Sequence, residues 1–200
     1  MDAIRNVLEI ICDLANAHLQ NLYGRPDEWV TLTSLVDHGG SVNEAARNKI
    51  VMSLYNLTRE ASVSSYQATL PPSGSGTSAD GLAVVSPPLY LNAHVMFMAN
   101  FTEASYADGL AALSRLIGCF QQTPWITADS VPELPPEISK LTLDFENLVP
   151  VDVNYVMGML GTRYLPSAFY KVRLIPFASS AMQSRAYAVS GTGTGESSTR

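Results

Sequence analysis

The chain has 200 residues, 46% of them hydrophobic, and a mean hydropathy of +0.09, which supplies one full core and by length favours a single domain. A formal charge of −6 and a pI near 4.9 exclude the phosphate-neutralising surface of a nucleic-acid binder and suit basic partners better. Cys12 and Cys119 fall in apolar helical patterns, where a free thiol behaves as a small buried hydrophobe, so no disulfide framework is implied.

The N-terminus passes straight into an amphipathic pattern with acids inside it, so no secretory leader is expected and synthesis in the cytoplasm is. No apolar run approaches the ~20 residues that cross a bilayer. Ile4, Val7, Leu8, Ile11, Leu14, Ala15, Leu19 and Leu22 recur at helical spacing, and Gly24 with Pro26 supplies the stop. Val30 to Val36 is β-rich but breaks alternation. His38-Gly39-Gly40 marks a turn before a second strand, Lys49 to Arg59.

From Thr69 to Pro88 the composition shifts to Pro, Gly, Ser and Thr and reads as a long surface loop. Leu89 to Phe101 alternates regularly and is the strongest strand in the chain, placed centrally. Thr102 is positioned to cap a helix with Tyr106, Leu110, Leu113, Ile117 and Phe120 on its inner face. After a Pro-rich connection, Leu141, Leu143 and Phe145 alternate with Thr142, Asp144 and Glu146 as a further strand. Pro150, Asp152 and Gly161 frame a short helix with Val153, Val156, Met157 and Leu160 inward.

The last strand puts Tyr170, Val172 and Leu174 on one face and Phe169, Lys171 and Arg173 on the other. Residues 178–200, rich in Ser, Thr and Gly, read as a flexible tail. The expected architecture is α/β (α+β): one domain over residues 1–177, with a mixed, mainly antiparallel sheet and about three packed helices.

Chemistry-bearing groupings are sparse. Gly191, Gly193 and Gly195 lack the strand and helix of a phosphate-binding loop, and Ser73 to Gly76 lacks both the P-loop lysine and the nucleophile elbow. His18, His38 and His94 have no partners at zinc-ligand spacing, so no metal and no cofactor is assigned. His94, on the central strand, reads as a satisfied core histidine; the alternative is a base for a serine or carboxylate in a cleft. Asn56-Leu-Thr58 and Asn100-Phe-Thr102 match glycosylation sequons but read as strand residues. Met96, Met98, Met157 and Met159 read as core filler. Asp144 and Glu146 share one strand face, and if their strand neighbours the last one, opposite charges meet Lys171 and Arg173 across the ladder.

Asn48-Lys-Ile-Val-Met-Ser-Leu-Tyr-Asn-Leu-Thr-Arg-Glu60, Pro87-Pro-Leu-Tyr-Leu-Asn92 and Leu113-Ser-Arg-Leu-Ile-Gly-Cys-Phe-Gln121 then carry a resemblance. With Leu134-Pro135, Lys140-Leu-Thr-Leu143 and Leu165-Pro-Ser-Ala-Phe-Tyr-Lys-Val-Arg173, they resemble the tail-terminator or cap proteins of phage-tail-like contractile injection systems. The resemblance implies a hexameric ring closing the baseplate-distal end of the inner tube and contacting the last sheath layer. It implies a structural protein, not an enzyme, partnered by tube and sheath proteins in a particle that is assembled in the cytoplasm and released in some systems. No catalytic residues carry over. Asp144, Glu146, Phe169, Lys171 and Arg173 are the expected interface on the residues' own reading. Two other functions stay open: an enzyme with a cleft at His94, and a monomeric adaptor binding through the Pro/Gly/Ser loop or the tail.

Overall fold

In the computed structural model, residues 2–36, 39–41, 43–61, 68–70, 82–85, 89–177 and 182–186 are described. Helix α1 (Ala3–Tyr23) buries Val7, Leu8, Ile11, Ala15 and Leu19 along one side and ends at Gly24, whose φ of 61° is the left-handed conformation glycine adopts without a Cβ penalty. Leu22, expected on the inner face, lies past the end of that stripe and is exposed. Strand β1 is only Val30–Leu32, because the run to Val36 loses its alternation at Thr33 and Ser34.

Strand β2 (Lys49–Arg59) runs parallel to β1 and antiparallel to β5 (Leu89–Asn100). Strands β3 (Ala68–Leu70) and β4 (Leu82–Val85) fall at the start of and within the stretch read as loop, and β9 (Met182–Ala186) falls within the stretch read as tail. Their β-forming residues are too few to stand out of Pro/Gly/Ser-rich surroundings. The Ser73 to Gly76 run, the Gly191, Gly193 and Gly195 series, His38 and most of the expected tail lie outside the described residues.

A short 3-10 turn (Glu103–Ser105) follows Thr102 and leads into α2 (Tyr106–Gln122). Thr102 makes no side-chain cap bond. The buried stripe of α2 is Gly109, Ala112, Leu113, Leu116 and Phe120, rotated from the expected one, so Tyr106 and Leu110 face outward. The rotation follows from Gly109: a Cβ there would stand 2.7 Å from the Phe101 ring, so glycine lets the helix settle onto that side chain.

Strands β6 (Trp125–Thr127) and β7 (Lys140–Glu146) pair antiparallel, and α3 (Pro150–Met159) and β8 (Ser167–Phe177) follow them. Pro150 opens α3, where its missing N–H costs nothing, and Gly161 (φ +67°) turns the chain out of it.

Contacts divide the chain into two compact units, residues 1–62 with 90–177 and residues 63–89 with 178–200. The larger holds a six-stranded mixed sheet in the order β1-β2-β5-β8-β7-β6, mainly antiparallel, with β5 and β8 central and three helices packed on it. The smaller holds a three-stranded sheet, β3-β4-β9, antiparallel throughout.

On one face of the large sheet α1 and α2 cover Ile50, Met52, Val95, Phe97, Leu141, Leu143 and Tyr170, where Phe97, Phe120 and Tyr170 meet with ring centroids 5.2 to 5.8 Å apart. Burial pushes the Tyr170 hydroxyl up to about 12. On the other face, Val156 and Met157 of α3 cover Val51, Met96, Met98 and Phe169. The methionine reading holds for Met96, Met98 and Met157, but Met159 is 71% exposed.

The two outermost strands of this sheet are each capped at one point by a side chain or a turn. On β1, the Asn16 amide of α1 accepts from Trp29 N (2.9 Å) and Val30 N (2.8 Å) and donates to Val30 O (2.7 Å), replacing a neighbouring strand. On β6, the Thr127 N–H donates to Ser130 Oγ, while Thr127 O accepts from Ser130 N and Val131 N. Open strand edges invite pairing with other chains; at Val30 and Thr127 the outward-facing groups are already bonded.

Candidate functional site

The charged face arises from the alternation of β7 and β8. Their register sets Asp144 opposite Lys171, Thr142 opposite Arg173 and Glu146 opposite Phe169. Long side chains lean along the strand, so each cation pairs diagonally: Lys171 Nζ lies 3.4 Å from Glu146 Oε1, and Arg173 Nη1 lies 3.5 Å from Asp144 Oδ2. The expected cross-ladder pairing is therefore present, displaced by one alternate position. Phe169 shares the face but is covered by α3 and is 5% exposed, whereas Asp144 is about half exposed.

The sheet adds partners that the sequence reading did not assemble. Arg173 Nε also donates to Glu60 Oε2 at 2.9 Å, and Glu60, just past the end of β2, is itself buried. His94 on β5 places Nδ1 2.8 Å from Glu146 Oε2 and Nε2 2.7 Å from Thr58 Oγ1. Tyr55 donates its hydroxyl to the same Glu146 oxygen at 3.0 Å and sets its ring edge-on to His94 and Phe169.

Tyr55 follows the alternation of Val51 and Ser53 onto this face, and Thr58 joins it because the β2–β5 register shifts between Leu54 and Asn56. The bulge re-aims one side chain and inverts the facing of those after it. Its signal is in the sequence: the apolar phase Ile50, Met52, Leu54 breaks at Tyr55 and resumes at Leu57.

Electrostatically, Glu146 is the hub. Burial alone raises a carboxyl, but the hydrogen bonds from His94 and Tyr55 and the charge of Lys171 outweigh it and hold Glu146 below its ordinary value. An ionised Glu146 only accepts, so His94 Nδ1 carries a proton toward it and Thr58 satisfies the other ring nitrogen. Burial and the Glu146 carboxylate push the Tyr55 hydroxyl upward, keeping it a donor. The result is a polar crosslink joining β2, β5, β7 and β8 on one face. Asn92 Oδ1, buried on the same face of β5, has no hydrogen-bond partner among the described residues.

A second surface feature is apolar. Val151, Tyr155 and Met159 recur every four residues along the outside of α3, 60%, 66% and 71% exposed, and Val149 and Tyr164 extend the patch at either end of the helix. The expected inward set Val153, Val156, Met157 and Leu160 is indeed on the opposite side, buried or half-buried. The helix is thus hydrophobic on both faces and, among the described residues, has a neighbour on one.

A mixed, mainly antiparallel sheet with its central strands crosslinked, two helices on one face and one on the other, is a tail-terminator-like fold. The chain belongs to the family of Pvc16 N-terminal domains, whose model matches residues 6–190. Its fold is shared by the PVC sheath/tube terminator of an extracellular contractile injection system, seen by cryo-EM in the extended state, with a TM-score of 0.62, 16% identity and coverage of 98% of this chain and 64% of that one. It is shared too by the anti-feeding prophage cap, a tube-terminating cap, with a TM-score of 0.60, 11% identity and coverage of 94% and 60%. The chain therefore spans less than two-thirds of the length of either. No curated protein matches it in sequence.

Proposed function

We propose that the chain is a structural cap, or tail terminator, of a contractile injection system. It assembles as a hexameric ring on the baseplate-distal end of the inner tube and contacts the terminal sheath layer, without catalysing a reaction. The observation that carries this reading is the family match over nearly the whole chain, combined with a fold common to two tube terminators. A ring repeats one heterologous contact until it closes, and the charged rim of Asp144, Glu146, Lys171 and Arg173 is offered as the docking face toward tube or sheath. Assembly in the cytoplasm and departure with the particle follow from this role.

The test is to delete the gene in a producing strain and image the particles. Caps missing from tube ends, tubes of uncontrolled length, and restoration by the full chain in trans are the expected results. Unchanged ends and lengths, with the protein absent from wild-type particles, overturn the reading.

The enzyme reading has one observation in its favour: Thr58, His94 and Glu146 form a hydroxyl, imidazole and carboxylate chain at 2.7 and 2.8 Å. Against it, Thr58 sits within a regular strand instead of on a strained nucleophile turn, and Glu146 already serves Tyr55 and Lys171. A hollow of about 710 Å³ on the same unit is lined by Tyr23, Trp29, Lys49 and Phe101, not by these residues. The adaptor reading depends on loop and tail segments that lie mostly outside the described residues.

A further inference from the structure

We infer that the outer face of α3 is the surface through which one copy of this chain binds the next. The inference rests on the cap reading and names the contact that reading requires. Val149, Val151, Tyr155, Met159 and Tyr164 are 58% to 71% exposed. With aromatic side chains presenting 150–250 Å² each, the five leave on the order of 600 Å² of largely apolar surface. That approaches the roughly 800 Å² per partner of a stable interface, with only five residues counted.

Three features favour a second copy over other occupants. First, on the two outermost strands of the large sheet the outward-facing groups of Val30 and Thr127 are already bonded, by Asn16 and by the Ser130 turn, which blocks strand pairing between copies at those points. Second, each copy carries a formal charge of −6, so identical chains meet at least electrostatic cost through a patch where Asp152 is the one charged residue of the helix. Third, the composition is that of a permanent homomeric contact, with Tyr and Met present and Lys and Glu absent from the exposed stripe. Gly158, between Tyr155 and Met159, has open space around it, so a neighbour approaches the helix backbone closely there.

The stripe is turned outward, so its substitution leaves the fold intact and the variants separate assembly from folding. Tyr155→Glu combined with Met159→Glu is compared with wild type and with Tyr155→Phe, all as full chains, by light scattering over a dilution series, by thermal unfolding, and by imaging on particles. The double variant is expected to keep its unfolding temperature and to need at least about thirtyfold more protein for half-assembly, as loss of interface hot spots implies. Tyr155→Phe is expected to assemble like wild type.

Rings formed by the double variant at wild-type concentration overturn the inference and leave the cap reading standing. Normal rings that no longer sit on tube ends also overturn it, because the occupant of α3 is then tube or sheath. A wild-type chain that neither assembles nor occurs on particles brings down both readings.

Discussion

Replacing Glu146 tests whether the charged face is a crosslink or a set of surface ion pairs. Glu146 is 18% exposed at its side chain and His94 is 12% exposed, so Glu146→Ala strands His94 and the Tyr55 hydroxyl in a mostly dry place. Breaking a buried pair costs 3–5 kcal/mol and orphaning a hydroxyl 1–3; with partial solvent access the expected loss is about 3 kcal/mol. For a chain of this size that lowers the unfolding temperature by about 6–12 °C. Glu146→Gln, which still accepts hydrogen bonds, is expected to lose about 1 kcal/mol. Lys171→Ala, removing a partner one-third exposed at 3.4 Å, is expected to lose about 0.5 kcal/mol.

Urea unfolding followed by circular dichroism measures all three. The sign with pH follows from the depressed carboxyl. Its contribution is complete above the ordinary value of 4.5 and fades as pH falls through the lower folded value. The gap between wild type and Glu146→Gln is therefore full at neutral pH and shrinks in acid. Equal losses for Glu146→Ala and Lys171→Ala, or a gap that widens on acidification, refute the crosslink.

Asn16→Leu removes three hydrogen bonds to Trp29 and Val30; a loss of about 2–4 kcal/mol and a rise in turbidity on heating are expected, since the β1 edge is then bare. Arg173→Glu sets a third carboxylate beside Glu60 and Asp144, so it is expected to lower stability by at least about 3 kcal/mol in the free chain, readable by the same urea assay before any assembly is tested. Burial pushes the Cys12 thiol up to about 11 and raises Cys119 as well, so neither is expected to react with a maleimide at pH 7 until urea unfolds the chain.

Much of the larger unit is legible because its elements are long and periodic. α1, β2, β5 and α3 carry enough repeats of 3.6 or 2 residues, with Gly24, Pro150 and Gly161 as punctuation, to be placed to within a residue or two. Pairing Asp144 and Glu146 with Lys171 and Arg173 required one further fact, that β7 and β8 are neighbours. Glu60, Thr58 and Tyr55 escaped because their partners are 36 to 113 positions distant, with Glu60 to Arg173 the longest, and because a one-residue bulge turns β2 over. The facing of α2 escaped for a different reason. Alanine and glycine contribute little to an apolar stripe, yet Gly109 and Ala112 are what the helix buries. Strands as short as β4 and β9, in Ser- and Gly-rich sequence, give no period to read.

The capped edges and the apolar helix together constrain how assembly responds to salt. A ring closed by charged rims weakens as ions screen the pairs, because the Debye length falls to about 3 Å at 1 M salt. A ring closed through Val151, Tyr155 and Met159 has little to screen, while salt reduces the mutual repulsion of chains carrying −6 each. Sulfate further strengthens apolar burial by its exclusion from protein surface. Assembly of the free chain, followed by light scattering, is therefore expected to hold or strengthen from low salt to 1 M sodium chloride, and to strengthen in sulfate. Docking through Asp144, Lys171 and Arg173 is expected to weaken over the same range. If both steps weaken together, the ring contact is electrostatic and α3 does not carry it.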